Sequence, residues 1–256
     1  MNNFLAQAIA AARAAEEVIR HYYRGDFEVT TKADASPVTQ ADVEAERAIK
    51  SVLSSAFPNH GFHGEELGRE AADAEYVWLI DPIDGTKSFV RGYPFFSTQI
   101  ALMHAGELVV GVSNAPLFGG GELAAAVKGQ GATLNGETLR VSQVAELSQA
   151  TLSLGNLATL AGSPRWQGLA GLLRAVHRHR GYGDFYHYHL LASGRIDLVI
   201  ESDVNILDIA ALTVILREAG GQITDLDGQP IGLHTTSVFA SNGLVGAAAR
   251  GHLGAG

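Results

Sequence analysis

The stretch Val77-Trp78-Leu79-Ile80-Asp81-Pro82-Ile83-Asp84-Gly85-Thr86-Lys87-Ser88-Phe89 constrains this 256-residue chain more than any other. Its first four residues read as a buried strand. Asp and Gly are poor strand formers, so the strand is predicted to stop at Asp81. A simple Asp-Gly turn accounts for Asp84 and Gly85 but not for a carboxylate at the end of so apolar a run. Asp81 and Asp84, with the Ile83 carbonyl, can wrap one hard cation or bridge two, because such ions take oxygen ligands. Gly85 allows close backbone approach. The N–H groups of Gly85 and Thr86, opening a helix through Lys87-Ser88-Phe89, would point at an anion. Carboxylate-held cations beside a helix start are what phosphoester hydrolysis requires.

Around this stretch the pattern alternates. Phe4, Leu5, Ile9, Ala12, Val18, Ile19 and Tyr22 recur at helical spacing, with Gly25 closing the helix. A second helix is predicted behind a Thr39/Asp42 capping box, with Ile49, Val52, Leu53 and Phe57 as its apolar stripe and Pro58–Gly61 as its stop. Ser97–His104 and Leu108–Ser113 form a hairpin about Ala105-Gly106-Glu107, and Asn135-Gly136 marks another. Farther on, helices are predicted at Leu169–Arg180, Phe185–Ala192 and Leu207–Ala219, the last closed by Gly220-Gly221, with a strand at Asp197–Glu201. The expected organisation is one unit over residues 1–256: an antiparallel-rich first half, about 1–145, and an α/β second half, about 146–256.

Composition narrows the partners. The net charge of −9, with no long Lys/Arg block, argues against nucleic acid. The absence of cysteine excludes disulfides and thiolate metal sites. Arg13, Glu16 and Glu17 interrupt any apolar leader core, and no run approaches membrane-spanning length. A soluble, cytoplasmic protein is expected. Other acidic residues beside turns or helix starts are Asp42, Glu65, Glu66, Glu201 and Asp208. Read singly, Asp42 can be a helix cap, Glu65-Glu66 a solvated turn, and Asp208 a first-turn acid favoured by the helix dipole.

Together the blocks resemble the inositol-monophosphatase superfamily of Mg²⁺-dependent, lithium-sensitive phosphomonoesterases. VWLIDPIDGTKSF resembles its metal signature, SPVTQAD its Asp-bearing N-terminal segment, and GFHGEELG its Gly-Glu-Glu loop. GQGATLNGETLRVS resembles its hairpin, and ILDIAALTVILREAGGQITDLDG its C-terminal signature, here with Leu207 where Trp is usual. The resemblance implies a layered αβαβα sandwich, of mixed α+β and α/β character. It implies two or three Mg²⁺ ions held by Glu65, Asp81, the Ile83 carbonyl, Asp84 and Asp208. Thr86 with Asp42 would orient and deprotonate the attacking water, with Glu65 also in the catalytic group. Gly85 and Thr86 would bind phosphate, and Glu201 and Asp208 would touch the substrate. A small phosphorylated substrate and a homodimer are expected, with no nucleic acid and no membrane.

GYGDFYHYHLLASGRIDLVIE resembles the corresponding block of the histidinol-phosphate phosphatase branch. Histidinol phosphate carries an ammonium and an imidazole, which Asp184 and Glu201 would suit; alternatively, Asp184 caps the helix beginning at Phe185. Inositol monophosphate and 3′-phosphoadenosine 5′-phosphate are the alternative substrates, and a non-catalytic binding protein the alternative class. His187 and His189 fall on different faces of a helix and read as surface or pocket-wall residues rather than zinc ligands. Arg165, Arg174, Arg178 and Arg180 read as a solvated helix face, or as a source of one arginine for a substrate phosphate across a dimer.

Overall fold

The computed structural model describes residues 2–23, 25, 29–31 and 37–254. They form two compact units, residues 1–136 with 207–215, and residues 137–206 with 216–256. Ser36, at the head of the SPVTQAD block, lies outside the described residues.

In the first unit, helices α1 (Asn2–Tyr22) and α2 (Gln40–Ala56) accompany a sheet. Its strands are β3 (Gly61–Gly64), β4 (Gly68–Glu70), β5 (Tyr76–Asp84), β6 (Ser97–His104), β7 (Glu107–Ala115), β8 (Glu122–Val127) and β9 (Ala132–Leu134), ordered β9-β8-β7-β6-β5-β3-β4. Only β3 and β5 pair in parallel; the other neighbours are antiparallel. A small antiparallel pair, β1 (Val29–Thr31) with β2 (Pro37–Thr39), precedes α2. The predicted hairpin turn is present: Asn135 (φ 51°) and Gly136 (φ 86°) both take left-handed backbone between β9 and β10 (Glu137–Thr138).

The buried line of α1 differs from the expected stripe. Ala8, Ala11, Ala12, Ala15 and Ile19 are fully buried, whereas Phe4, Leu5, Ile9, Val18 and Tyr22 are only partly covered. Alanine leaves little side chain between backbones, so α1 packs closely on its neighbours and its larger residues flank the contact. In α2, Ile49 and Leu53 are buried as expected, beside Ala41 and Ala45.

The second unit has a five-stranded sheet ordered β12-β11-β13-β15-β14. Its strands are β11 (Thr151–Gly155), β12 (Arg178–Arg180), β13 (Leu198–Ser202), β14 (Gln222–Thr224) and β15 (Ser237–Ser241). β11 runs parallel to both β12 and β13; β15 is antiparallel to β13 and β14. Helices α4 (Ala158–Ala161), α5 (Arg165–Ala175), α6 (Asp184–Ala192) and α8 (Gly246–Leu253) belong to it, with Leu169, Leu172, Ala249 and Leu253 in its core.

One predicted helix is corrected. Leu169–Arg180 is not continuous: α5 ends at Ala175, Val176 turns extended (φ −77°, ψ 152°), and Arg178–Arg180 pairs with β11. The open edge of β11 offers backbone partners that override the helical spacing. The supposed basic helix face is therefore divided, with Arg165 and Arg174 on α5 and Arg178 and Arg180 on an edge strand.

Helix α7 (Ile206–Glu218) contributes its Leu207–Ile215 segment to the first unit. A Cβ on Gly111 of β7 would lie 2.3 Å from the Ala211 carbonyl oxygen, so only glycine permits this helix–strand contact. Leu207, in the place of the usual Trp, is buried. Among the described residues, no helix is long and apolar enough to cross a membrane.

Candidate active site

Strand β5 does not stop at Asp81. It continues to Asp84 through a change of register, with Asp81 opposite Gln99 and Asp84 opposite Ser97 on β6. Three steps along β5 thus face two along β6, which is a one-residue bulge. Pro82 fits there because it has no N–H for the ladder, and its carbonyl accepts from Thr98 Oγ1 at 2.9 Å. The bulge matters chemically. In a regular strand, residues three apart point to opposite faces. Here Asp81 and Asp84, with Asp208 from the first turn of α7, bring one carboxylate oxygen each to within 4.8 Å of one another.

Asp81 is only 3% exposed. Its Oδ1 accepts the Ile83 N–H at 3.0 Å, and its carboxyl also meets that of Glu65. Burial, followed by the charges of Glu65, Asp84 and Asp208, holds Asp81 well above the usual carboxylate range. Asp84 Oδ2 accepts from Ser97 Oγ at 3.3 Å, and Ser97 Oγ in turn accepts from Gln99 Nε2 at 2.8 Å. This convergence of mutually repelling, oxygen-only donors fits a hard cation.

Immediately after the bulge, Gly85 takes φ 93° and opens the short helix α3 (Thr86–Val90). A Cβ here would meet the Phe95 carbonyl oxygen at 2.7 Å. Thr86 Oγ1 lies 3.1 Å from Asp42 Oδ1 and 3.0 Å from the Ile83 carbonyl oxygen. A hydroxyl has one proton, so these two acceptors compete for it.

Asp42 is the N3 residue of the α2 capping box and also faces Thr86. Its Oδ2 accepts the Thr39 N–H at 2.7 Å and Thr39 Oγ1 at 2.5 Å, closing the capping box. That leaves Oδ1 for Thr86. Burial raises the Asp42 pKa; hydrogen bonds from Thr39 and Thr86 oppose the rise, and the Glu65 charge adds to it.

One turn along α2, Glu46 is 2% exposed. It accepts the backbone N–H of Glu66 at 2.7 Å and of Leu67 at 3.1 Å. Burial raises its pKa against these bonds. The sequence reading missed Glu46, although a charged residue between Ala45 and Ile49 on a buried face was a usable signal.

In the second unit, Glu201 is the penultimate residue of β13 and is 2% exposed. Its Oε2 accepts from the Tyr188 hydroxyl at 2.9 Å and lies 3.2 Å from His187 Nε2; Asn156 Nδ2 reaches Oε1 at 3.3 Å. Ser153 Oγ accepts the Tyr182 N–H and lies 3.3 Å from His187 Nδ1. Ser153 and Glu201 thus flank the two ring nitrogens of His187 and fix the orientation of the ring. His187 and His189 are buried, not surface residues. Asp184 is the first residue of α6 and Gly183 is its cap, so Asp184 is not the N-cap. Its φ of 44° is left-handed backbone, which Asp tolerates better than most residues.

Carboxylates gathered by a strand bulge in a chain of mixed sheets and helices suit metal-assisted hydrolysis of a phosphoric monoester. The comparisons agree. The model of the inositol monophosphatase family matches residues 1–253, and the chain belongs to that family. It is 40% identical over 242 residues to the histidinol-phosphatase of Mycobacterium tuberculosis, covering 93% of each chain. It is 43% identical over 226 residues to the histidinol-phosphatase of Streptomyces coelicolor, covering 85% of this chain and 84% of that one. Its fold matches the inositol monophosphatase structure from Anabaena (Nostoc) sp. PCC 7120 with a TM-score of 0.84 at 30% identity, covering 98% and 95% of the respective chains.

Proposed function

We propose that the chain hydrolyses L-histidinol phosphate to L-histidinol and phosphate, with Mg²⁺ as cofactor, as a step of histidine biosynthesis. The observation that carries this choice of substrate is the likeness, across about nine-tenths of the chain, to relatives named for that activity. Glu65, Asp81, the Ile83 carbonyl, Asp84 and Asp208 would hold two or three ions. Bound there, Mg²⁺ would neutralise phosphoryl oxygens, acidify water and stabilise the leaving alkoxide.

The chain's own residues supply the proton path. Thr86 passes its hydroxyl proton to Asp42 Oδ1 while its oxygen takes one from the attacking water. Asp42 serves as acceptor because burial raises its basicity and Thr39 pins its other oxygen. Gly85 and Thr86 present backbone N–H groups to the phosphate. Asp184 and Glu201 supply negative charge for the ammonium and imidazole of the leaving group. Asp184 is the first residue to test, because replacing Glu201 would also break its hydrogen bonds from Tyr188 and Asn156.

Phosphate release should be measured for histidinol phosphate, inositol 1-phosphate and 3′-phosphoadenosine 5′-phosphate. Histidinol phosphate is expected to lead inositol 1-phosphate in kcat/KM by on the order of 10²-fold, because a neutral polyol leaves acidic groups poorly paired. Asp184→Asn should shrink that lead while sparing a small generic phosphate ester. A better rate on either alternative substrate overturns the histidinol reading. A lead indifferent to Asp184 assigns that residue to its left-handed backbone position alone.

A further inference from the structure

We infer that Glu46 is a positioning residue for the metal site: its buried carboxylate fixes the loop that carries Glu65. The inference rests on the reading of Glu65 as a ligand. Glu65 lies at the tip of the β3–β4 hairpin, and the next two N–H groups, of Glu66 and Leu67, both end on Glu46. Two amides donating to separate oxygens of one carboxylate use it as an anion, and such charge-assisted bonds are stronger than neutral ones. An apolar side chain beside Ala45 and Ile49 would avoid the cost of burying a charge. Without the carboxylate, however, the Glu66 and Leu67 N–H groups would lose this acceptor, and the tip would keep the bond from the Glu65 N–H to the Ile80 carbonyl at 3.1 Å.

Gly64 supplies an independent observation. A Cβ on Gly64 would lie 1.7 Å from Glu46 Oε1 and 2.5 Å from its Cδ. The glycine before the two glutamates is therefore the space that the Glu46 carboxylate occupies. Glu46 also stands four residues after Asp42, on the same face of α2. One rigid helix turn thus sets the proton acceptor and the Glu65 loop in fixed relation. Lys50, one turn farther, pairs with Glu70 on the returning strand β4 and steadies the far side of the hairpin.

The test is calorimetric titration of Mg²⁺ into the full chain freed of metal by chelation. Glu46→Gln should weaken Mg²⁺ affinity by roughly 10–100-fold, the range seen when partners of metal ligands are removed, with unchanged far-ultraviolet circular dichroism. Gly64→Ala should reproduce this loss, and the double variant should be little worse than either single one, since both break one contact. Glu65→Gln is the control on the ligand reading. Weak binding by Glu65→Gln with binding by Glu46→Gln within twofold of wild type overturns the role of Glu46 alone. Wild-type binding by both overturns the ligand reading with it. Should Glu46→Gln fail to fold, Glu46→Asp, which keeps the charge but shortens the reach, is expected to show the same loss, and wild-type affinity there overturns the proposal.

Discussion

Burial at the end of an apolar strand and three neighbouring carboxyl groups oppose a charge on Asp81. A cation resolves that conflict, so Asp81→Asn should preserve the fold but lower kcat/KM by on the order of 10³-fold, several kcal/mol of lost charge stabilisation. Thr86→Ala should behave differently. Its turnover should fall by roughly 10²–10⁴-fold, the scale of a lost acid–base contribution, while Mg²⁺ affinity stays nearly unchanged. Steady-state rates beside calorimetric titration separate the two; equal losses of rate and affinity would make Thr86 part of the metal site. Asp81 and Asp84 were legible in the sequence because they stand together after an apolar run. Ser97 and Gln99 were not, because each reaches the cluster through a partner on another segment that spacing cannot reveal, and Glu46 showed only as a charge on a buried helix face.

Helix and strand types were legible wherever apolar period and turn chemistry agreed, as in α2, α7 and the hairpin at Asn135-Gly136. They failed where another element supplied the deciding contact, as at β12, whose backbone pairs with β11. The bulge in β5 was hidden for the same reason: an extra residue is defined only against a neighbouring strand. In α1, Glu16 is a local clamp within the first unit. It accepts from Arg13 at 2.6 Å, Arg20 at 2.9 Å and Asn114 at 3.2 Å, and Arg20 also reaches the Pro116 carbonyl. Burial would raise the Glu16 pKa, but those hydrogen bonds together bring it below its ordinary value of 4.5. A lowered folded-state pKa means stabilisation that is present above the unfolded value and lost as pH falls through the folded one. Glu16→Gln should therefore lower stability by about 1–2 kcal/mol at neutral pH. In urea unfolding, the gap from wild type should close as the pH drops below 4.5; a gap constant with pH would show that shape rather than charge matters here.

Over the whole molecule, the acidic cluster joins segments far apart in the chain, so ligand binding and folding are linked. At a Mg²⁺ concentration about 100 times its dissociation constant, binding should add roughly 2.7 kcal/mol to stability. A chelator should correspondingly lower Tm by about 5–10 °C at this chain length. Hydrogen exchange should report the change mainly at residues 64–67, 81–86 and 207–215; a uniform change would argue against a local site. The assignment of Leu207–Ile215 to the first unit also orders events at the ribosome. Strands β5 to β9 emerge with Asp81 and Asp84 already in place, but Ala211, which covers Gly111, and Asp208 follow only after the early strands of the other unit are translated. At about 5–20 residues per second, the nascent sheet waits several seconds with part of its apolar face bare. During that interval its apolar face is open to chaperones, and the carboxylate set that could hold a cation still lacks Asp208.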